Sequence, residues 1–169
     1  LTLPAAMATV IKIDFTKNIV SFAHVGDTFM FVYFADGTSK VFSDDKNKKF
    51  DEEVFSLLRN IAQENNLTYH KARQDKRINE AIKTMYYRRN NNPNGKGSGL
   101  INGDPHLKLY IQTGEIALQG VKAILLGTDG LMPQGWSEKN EEDRQKVFDE
   151  IQKGGFKKLF ATKQKSEND

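Results

Sequence analysis

The chain has 169 residues, room for one ordinary domain with a buried core, and its 38% hydrophobic and 28% charged composition excludes a disordered or membrane-embedded chain. A formal net charge of +3, with bases and acids interleaved, argues against a dedicated nucleic-acid binder. The absence of cysteine removes disulfides, thiolate chemistry and Cys-based zinc sites.

In chain order, residues 8–13 read as a strand, so close to the first residue that the chain is expected to begin within a structure and to be a piece of a longer domain. Strand-like runs follow at 19–24, 28–34 and 39–42, with turns at Gly26-Asp27 and Asp36-Gly37, and they predict an antiparallel meander. Asp36-Gly37 between Val32-Tyr33-Phe34 and Lys40-Val41-Phe42 is the strongest hairpin signal. The period then changes. Val54, Phe55, Leu57, Leu58, Ile61 and Ala62 recur at helical spacing after the acidic turn Asp51-Glu52-Glu53. A second helix is expected from near Lys71 to about Arg89, ended by the Asn-rich loop before Pro93. Strands are expected again at 98–101, 107–112 and 121–126, and a helix over 143–153 with Val147, Phe148 and Ile151 on one face. The longest apolar runs, 29–34 and 121–126, are far shorter than the roughly 20 residues that cross a bilayer. With no signal peptide visible, cytoplasm is the default compartment.

Two apparent motifs fail on their spacing. Asn94-Gly95-Lys96-Gly97-Ser98 lacks the first glycine of a phosphate loop and the Ser/Thr directly after lysine, and it follows a helix rather than a strand. Asp45-Lys46-Asn47 opens like a calcium loop but has no glycine at its sixth position. His24, His70 and His106 share no ligand spacing and each reads as structural or solvent-facing, while Trp136 is a candidate cover for a site. The aromatics of residues 29–34 read as core.

Two acidic turns remain, His24-Val25-Gly26-Asp27-Thr28 between strands and Leu125-Leu126-Gly127-Thr128-Asp129-Gly130-Leu131 after an apolar strand. A carboxylate where a rigid strand emerges is a well-fixed oxygen ligand for a hard cation, and an adjoining glycine lets main chain and water come close. Singly, each is an ordinary turn dipeptide.

Taken in order, these turns resemble the Val-Gly-Asp-Ser-Arg-like and Ser-Asp-Gly-Leu-like motifs of the protein phosphatase 2C family, with Gly99-Leu100-Ile101-Asn102-Gly103-Asp104-Pro105 similar to a stretch between them. The resemblance covers about residues 8–136 of what is expected to be a single domain, 1–169. It implies an α+β layered sandwich of two antiparallel sheets flanked by helices. It also implies hydrolysis of phosphoserine or phosphothreonine in a phosphoprotein substrate by water activated on two Mn2+ or Mg2+ ions. By resemblance Asp129 is a ligand of the main metal centre and Asp27 serves an additional, weaker position, with Gly130, Gly26 and Thr28 shaping the site. The family's first acidic motif, its upstream Asp-Gly ligand and its phosphate-binding arginine have no counterpart here, Asp169 is given no ligand role, and Phe29 stands where arginine is frequent. The chain alone is therefore expected to be a poor phosphatase. The alternatives are an inactive phosphatase-like regulatory module, or a protein or nucleic-acid interaction module using the basic residues between 71 and 89.

Overall fold

The computed structural model describes residues 5–94, 96–133 and 135–168; the side chains of Asp129, Glu167 and Asn168 lie outside the description, as does Asp169. The chain divides into two compact units, a β-rich one of residues 8–44 and 112–169 and a helical one of residues 1–7 and 45–111.

The β-rich unit holds two three-stranded antiparallel sheets. One has the order β1 (Ala8–Asp14), β2 (Ile19–Val25), β5 (Gln112–Ala117); the other has β4 (Ser39–Val41), β3 (Thr28–Phe34), β6 (Val121–Thr128). The hairpin between β3 and β4 forms as read: Gly37 takes φ 88°, and Asp36 Oδ1 accepts the Thr38 amide and hydroxyl at 2.9 and 2.8 Å. The expected meander does not form. β2 and β3 belong to different sheets, because the chain crosses from one to the other at Gly26, whose φ of 96° suits glycine alone.

Strand β3 is buried on both faces, which explains its run of aromatic and β-branched residues. Phe29, Phe31 and Tyr33 share one face and pack with Leu131, Val147, Phe148 and Leu159, the last three from helix α4 (Glu141–Asn168). Met30 and Val32 are buried on the opposite face, and β3 is the strand that meets β1 and β2 of the other sheet. The layers are therefore sheet, sheet and helix, the α+β sandwich that was expected. Tyr33 fixes the helix polarly as well, donating its hydroxyl to the Arg144 carbonyl at 2.9 Å while its ring stacks on Phe148 at 4.4 Å. α4 continues well past residue 153, the expected end, across a non-helical break at Gly154 and Gly155, where Gly155 has φ 66°. Thr162 beyond the break donates to Glu150 before it at 2.9 Å.

The helical unit contains α1 (Lys48–Glu64), α2 (Tyr69–Ala72) and α3 (Lys76–Arg89), with Leu58, Ile61, Ala62, Ala72 and Ile78 as its core. The single helix expected from Lys71 is broken because Asp75 takes extended backbone and caps α3, accepting the Arg77 amide at 2.9 Å. Arg89 is buried at the end of α3, its Nε on Asn47 Oδ1 at 3.0 Å and its Nη1 on Asp51 at 3.4 Å. Residues 98–101 form no strand, only one bridge between Ile101 and Ala6. Residues 107–112 were also expected as a strand; instead Pro105–Leu109 is a 3-10 helix capped by Asp104, and the strand, β5, starts at Gln112. Among the described residues no helix is long and apolar enough to cross a membrane.

Candidate metal-binding turns

The two acidic turns meet through strand register. β3 and β6 pair antiparallel, and the outermost pair of their ladder is Thr28 with Thr128. Asp27 lies one residue before that pair and Asp129 one residue after it, so both main chains leave the sheet at the same end, beside each other. Asp129 opens a 3-10 helix, Asp129–Leu131.

Beneath this end lies a polar cluster of three strands. Thr9 of β1 pairs with His24 of β2 in the first sheet. The Thr9 hydroxyl lies 2.8 Å from His24 Nδ1 and 2.6 Å from the Thr28 hydroxyl, which is itself 3.2 Å from Nδ1. The cluster thus ties the residue after Asp27 to the opposite sheet. His24 is buried, and its Nε2 has no hydrogen-bond partner of ordinary geometry. Burial pushes the imidazole below its usual titration range, opposed by the Asp44 and Gly26 main chain and by the charges of Asp44 and Asp27. Which ring nitrogen carries the proton decides whether Nδ1 donates to the threonine hydroxyls or accepts from them.

The tight glycine at this edge is Gly127, directly opposite Phe29 in the ladder. A Cβ there would lie 2.7 Å from Phe29 Cζ and 3.1 Å from Leu131 Cδ2. At Gly130 it would meet only Thr128 Oγ1, at an ordinary 3.5 Å. The Gly130 carbonyl accepts the Lys163 ammonium at 2.6 Å, bringing a cation from the distal part of α4 to the turn. Trp136 packs against the aromatic core, with the Lys146 ammonium 5.6 Å from its ring centroid.

The sequence reading missed the Thr9–His24–Thr28 cluster and Lys163. The first had a signal, since threonines flank the histidine on successive strands; the second had none, because α4 was expected to stop ahead of it. The other His-acid pair, Asp104 with His106 Nδ1 at 2.9 Å, sits on the exposed 3-10 cap of the helical unit; the His106 amide, then its ring, holds the Asp104 carboxyl below the usual carboxylate range.

A family model described as protein phosphatase 2C matches residues 1–164. The chain belongs to that family. No curated protein and no solved structure matches it. Membership carries a phosphatase-type function, and family members use divalent metal ions. The donor chemistry here fits such ions, since two carboxylate-bearing positions leave one sheet end next to a glycine turn, and hard cations take oxygen ligands. Among the described residues no group of three or more His, Asp or Glu side chains is placed to hold a metal.

Proposed function

We propose that this protein hydrolyses phosphoserine and phosphothreonine in a phosphoprotein substrate, with Mn2+ or Mg2+ held at the Asp27 and Asp129 turns. The observation that carries the reading is the Thr28–Thr128 pair, which sets the two acidic positions side by side although most of the chain separates them. Bound there, the ions would supply a water of lowered pKa and neutralise charge on the phosphoryl oxygens. The protein's own part is placement. Thr28 is held by Thr9 and His24, Gly26 supplies the reversal that presents Asp27, and β6, paired with the buried β3, leads into Asp129. Hydrolysis adds water across the ester P–O bond, returning the serine or threonine hydroxyl and releasing orthophosphate.

The test is manganese titration of p-nitrophenyl phosphate and phosphothreonine-peptide hydrolysis by the protein and its Asp129→Asn and Asp27→Asn variants, with thermal melts alongside. Asn keeps the size of Asp but removes the charge that holds a hard ion. Asp129→Asn is expected to lose most activity at every metal concentration with its melt preserved, and Asp27→Asn to need more manganese. Near-normal turnover by Asp129→Asn would refute the assignment. The second reading keeps the fold without the chemistry, as a regulatory module. The Lys163 ammonium on the Gly130 carbonyl favours it, because it places a built-in positive charge one residue from Asp129.

A further inference from the structure

The helical unit carries a cavity of about 340 Å³ lined by Lys49, Phe50, Arg88, Asn92 and Lys96. Its floor is the buried Phe50 ring. The Lys49 ammonium lies 4.7 Å and the Arg88 guanidinium carbon 5.3 Å from the centroid of that one ring. Both cations are held in place. Lys49 donates to the Lys96 carbonyl at 3.2 Å, and Arg88 is gripped by both carboxylate oxygens of Glu53 at 2.5 and 3.1 Å. Asn92 Oδ1 accepts the Asn94 amide at 3.1 Å, so its side chain offers a ligand N–H donors. Around the cavity, then, the lining side chains present donors and positive charge, with Glu53 as the counter-charge beside Arg88. Two cations gathered at one aromatic ring repel each other, and a bound anion relieves that repulsion.

We infer that this cavity binds a phosphoryl dianion, carried by a phosphorylated peptide or free as orthophosphate. The size agrees, since about 300 Å³ is the lower end of small-ligand sites and takes a phosphoryl group with the side chain bearing it. The charge agrees, because fixed ammonium and guanidinium donors bind such a group by charge-assisted hydrogen bonds. The sequence Asn94-Gly95-Lys96-Gly97-Ser98 is no phosphate loop by its pattern, yet Lys96 lines this cavity. The site stands apart from the Asp27 and Asp129 turns in sequence and owes nothing to metal, so the two readings fail separately.

The test is an NMR titration of the whole chain in chelator, with orthophosphate, a phosphothreonine peptide and its unphosphorylated twin as probes. Saturable shifts are expected at the amides of Lys49, Phe50, Arg88, Asn92 and Lys96, weakened about fivefold or more by Lys49→Gln and by Lys96→Gln. Both lysines are exposed, and neither change removes a hydrogen-bonding group of the Arg88–Glu53 pair. Binding of the phosphopeptide but not its twin makes the peptide the source; saturation by orthophosphate alone makes it free phosphate; either supports the site. No saturable change at these amides with either phosphorylated probe, or undiminished binding by both variants, overturns it.

Discussion

Gly127→Ala adds one methyl at the point where both acidic turns rest on the core. That methyl would sit 2.7 Å from Phe29 Cζ, 3.0 Å from Phe29 Cε2 and 3.1 Å from Leu131 Cδ2. Phe29 cannot swing aside freely, being buried and stacked on Phe31 with centroids 4.1 Å apart. Overpacking of this kind costs about 1–3 kcal/mol. Gly127 lies in a β-strand, outside the positive-φ glycines, so alanine fits its backbone and stiffening the unfolded chain returns about 0.4–1 kcal/mol. The net expectation is a loss of about 1–2 kcal/mol, which lowers the melting temperature by about 2–8 °C for a chain of this length. Phe29 follows the Asp27 turn by two residues and Leu131 follows Asp129 by two, so the same methyl should also raise the manganese concentration needed for activity. Thermal and urea melts measure the first effect, metal titration the second. Phe29→Leu in the Gly127→Ala background should recover part of both, because it removes the ring that the methyl meets. A Gly127→Ala protein as stable as the parent, or a double variant in which the two losses simply add, would refute the reasoning.

Tyr33→Phe removes the hydroxyl bonded to the Arg144 carbonyl while keeping the ring stack on Phe148, and should cost about 1 kcal/mol in urea melts. His24 titrates below the ordinary 6.5 when folded, so the unfolded chain binds the proton first as pH falls. Its effect is absent well above 6.5 and stability declines from there down to the depressed folded value; His24→Gln should flatten that part of a melting-temperature profile against pH. Lys163→Gln withdraws the ammonium from the Gly130 carbonyl and should tighten manganese binding at the turns, measured by calorimetry; weaker binding would show that the lysine supports the turn rather than competing with the ion.

Strand β3 was legible to the residue because it is buried on both faces and carries little but aromatic and β-branched side chains. The β3–β4 hairpin was legible because Asp36-Gly37 demands a positive φ. β5 was missed for the opposite reason: Gln112-Thr113-Gly114-Glu115 is an edge strand held to β2 through the main chain, with little apolar signal. The apolar residues just before it suggested a strand that Asp104 and Pro105 turned into a 3-10 helix. The Asp75 cap was overlooked because the apolar spacing runs on across it, and the distal half of α4 because two glycines halted the periodicity. Both acidic turns could be seen singly. Their adjacency rests on the partnering of β3 with β6, and no period within either strand encodes a partner.

The ladder between β3 and β6 also bears on what the rest of the chain is free to become. Residues 45–111 of the helical unit, though not its residues 1–7, are spliced into the run between these two strands, so the covalent path between the turns passes through them. The ladder still fixes their spacing, pair by pair from Thr28–Thr128 to Phe34–Val121. Doubling the length of a flexible loop adds only about 0.6 kcal/mol to the entropy of closing it. The insert can therefore be lengthened or shortened in its loops without the two turns losing each other, which makes it the part of this chain open to diversification.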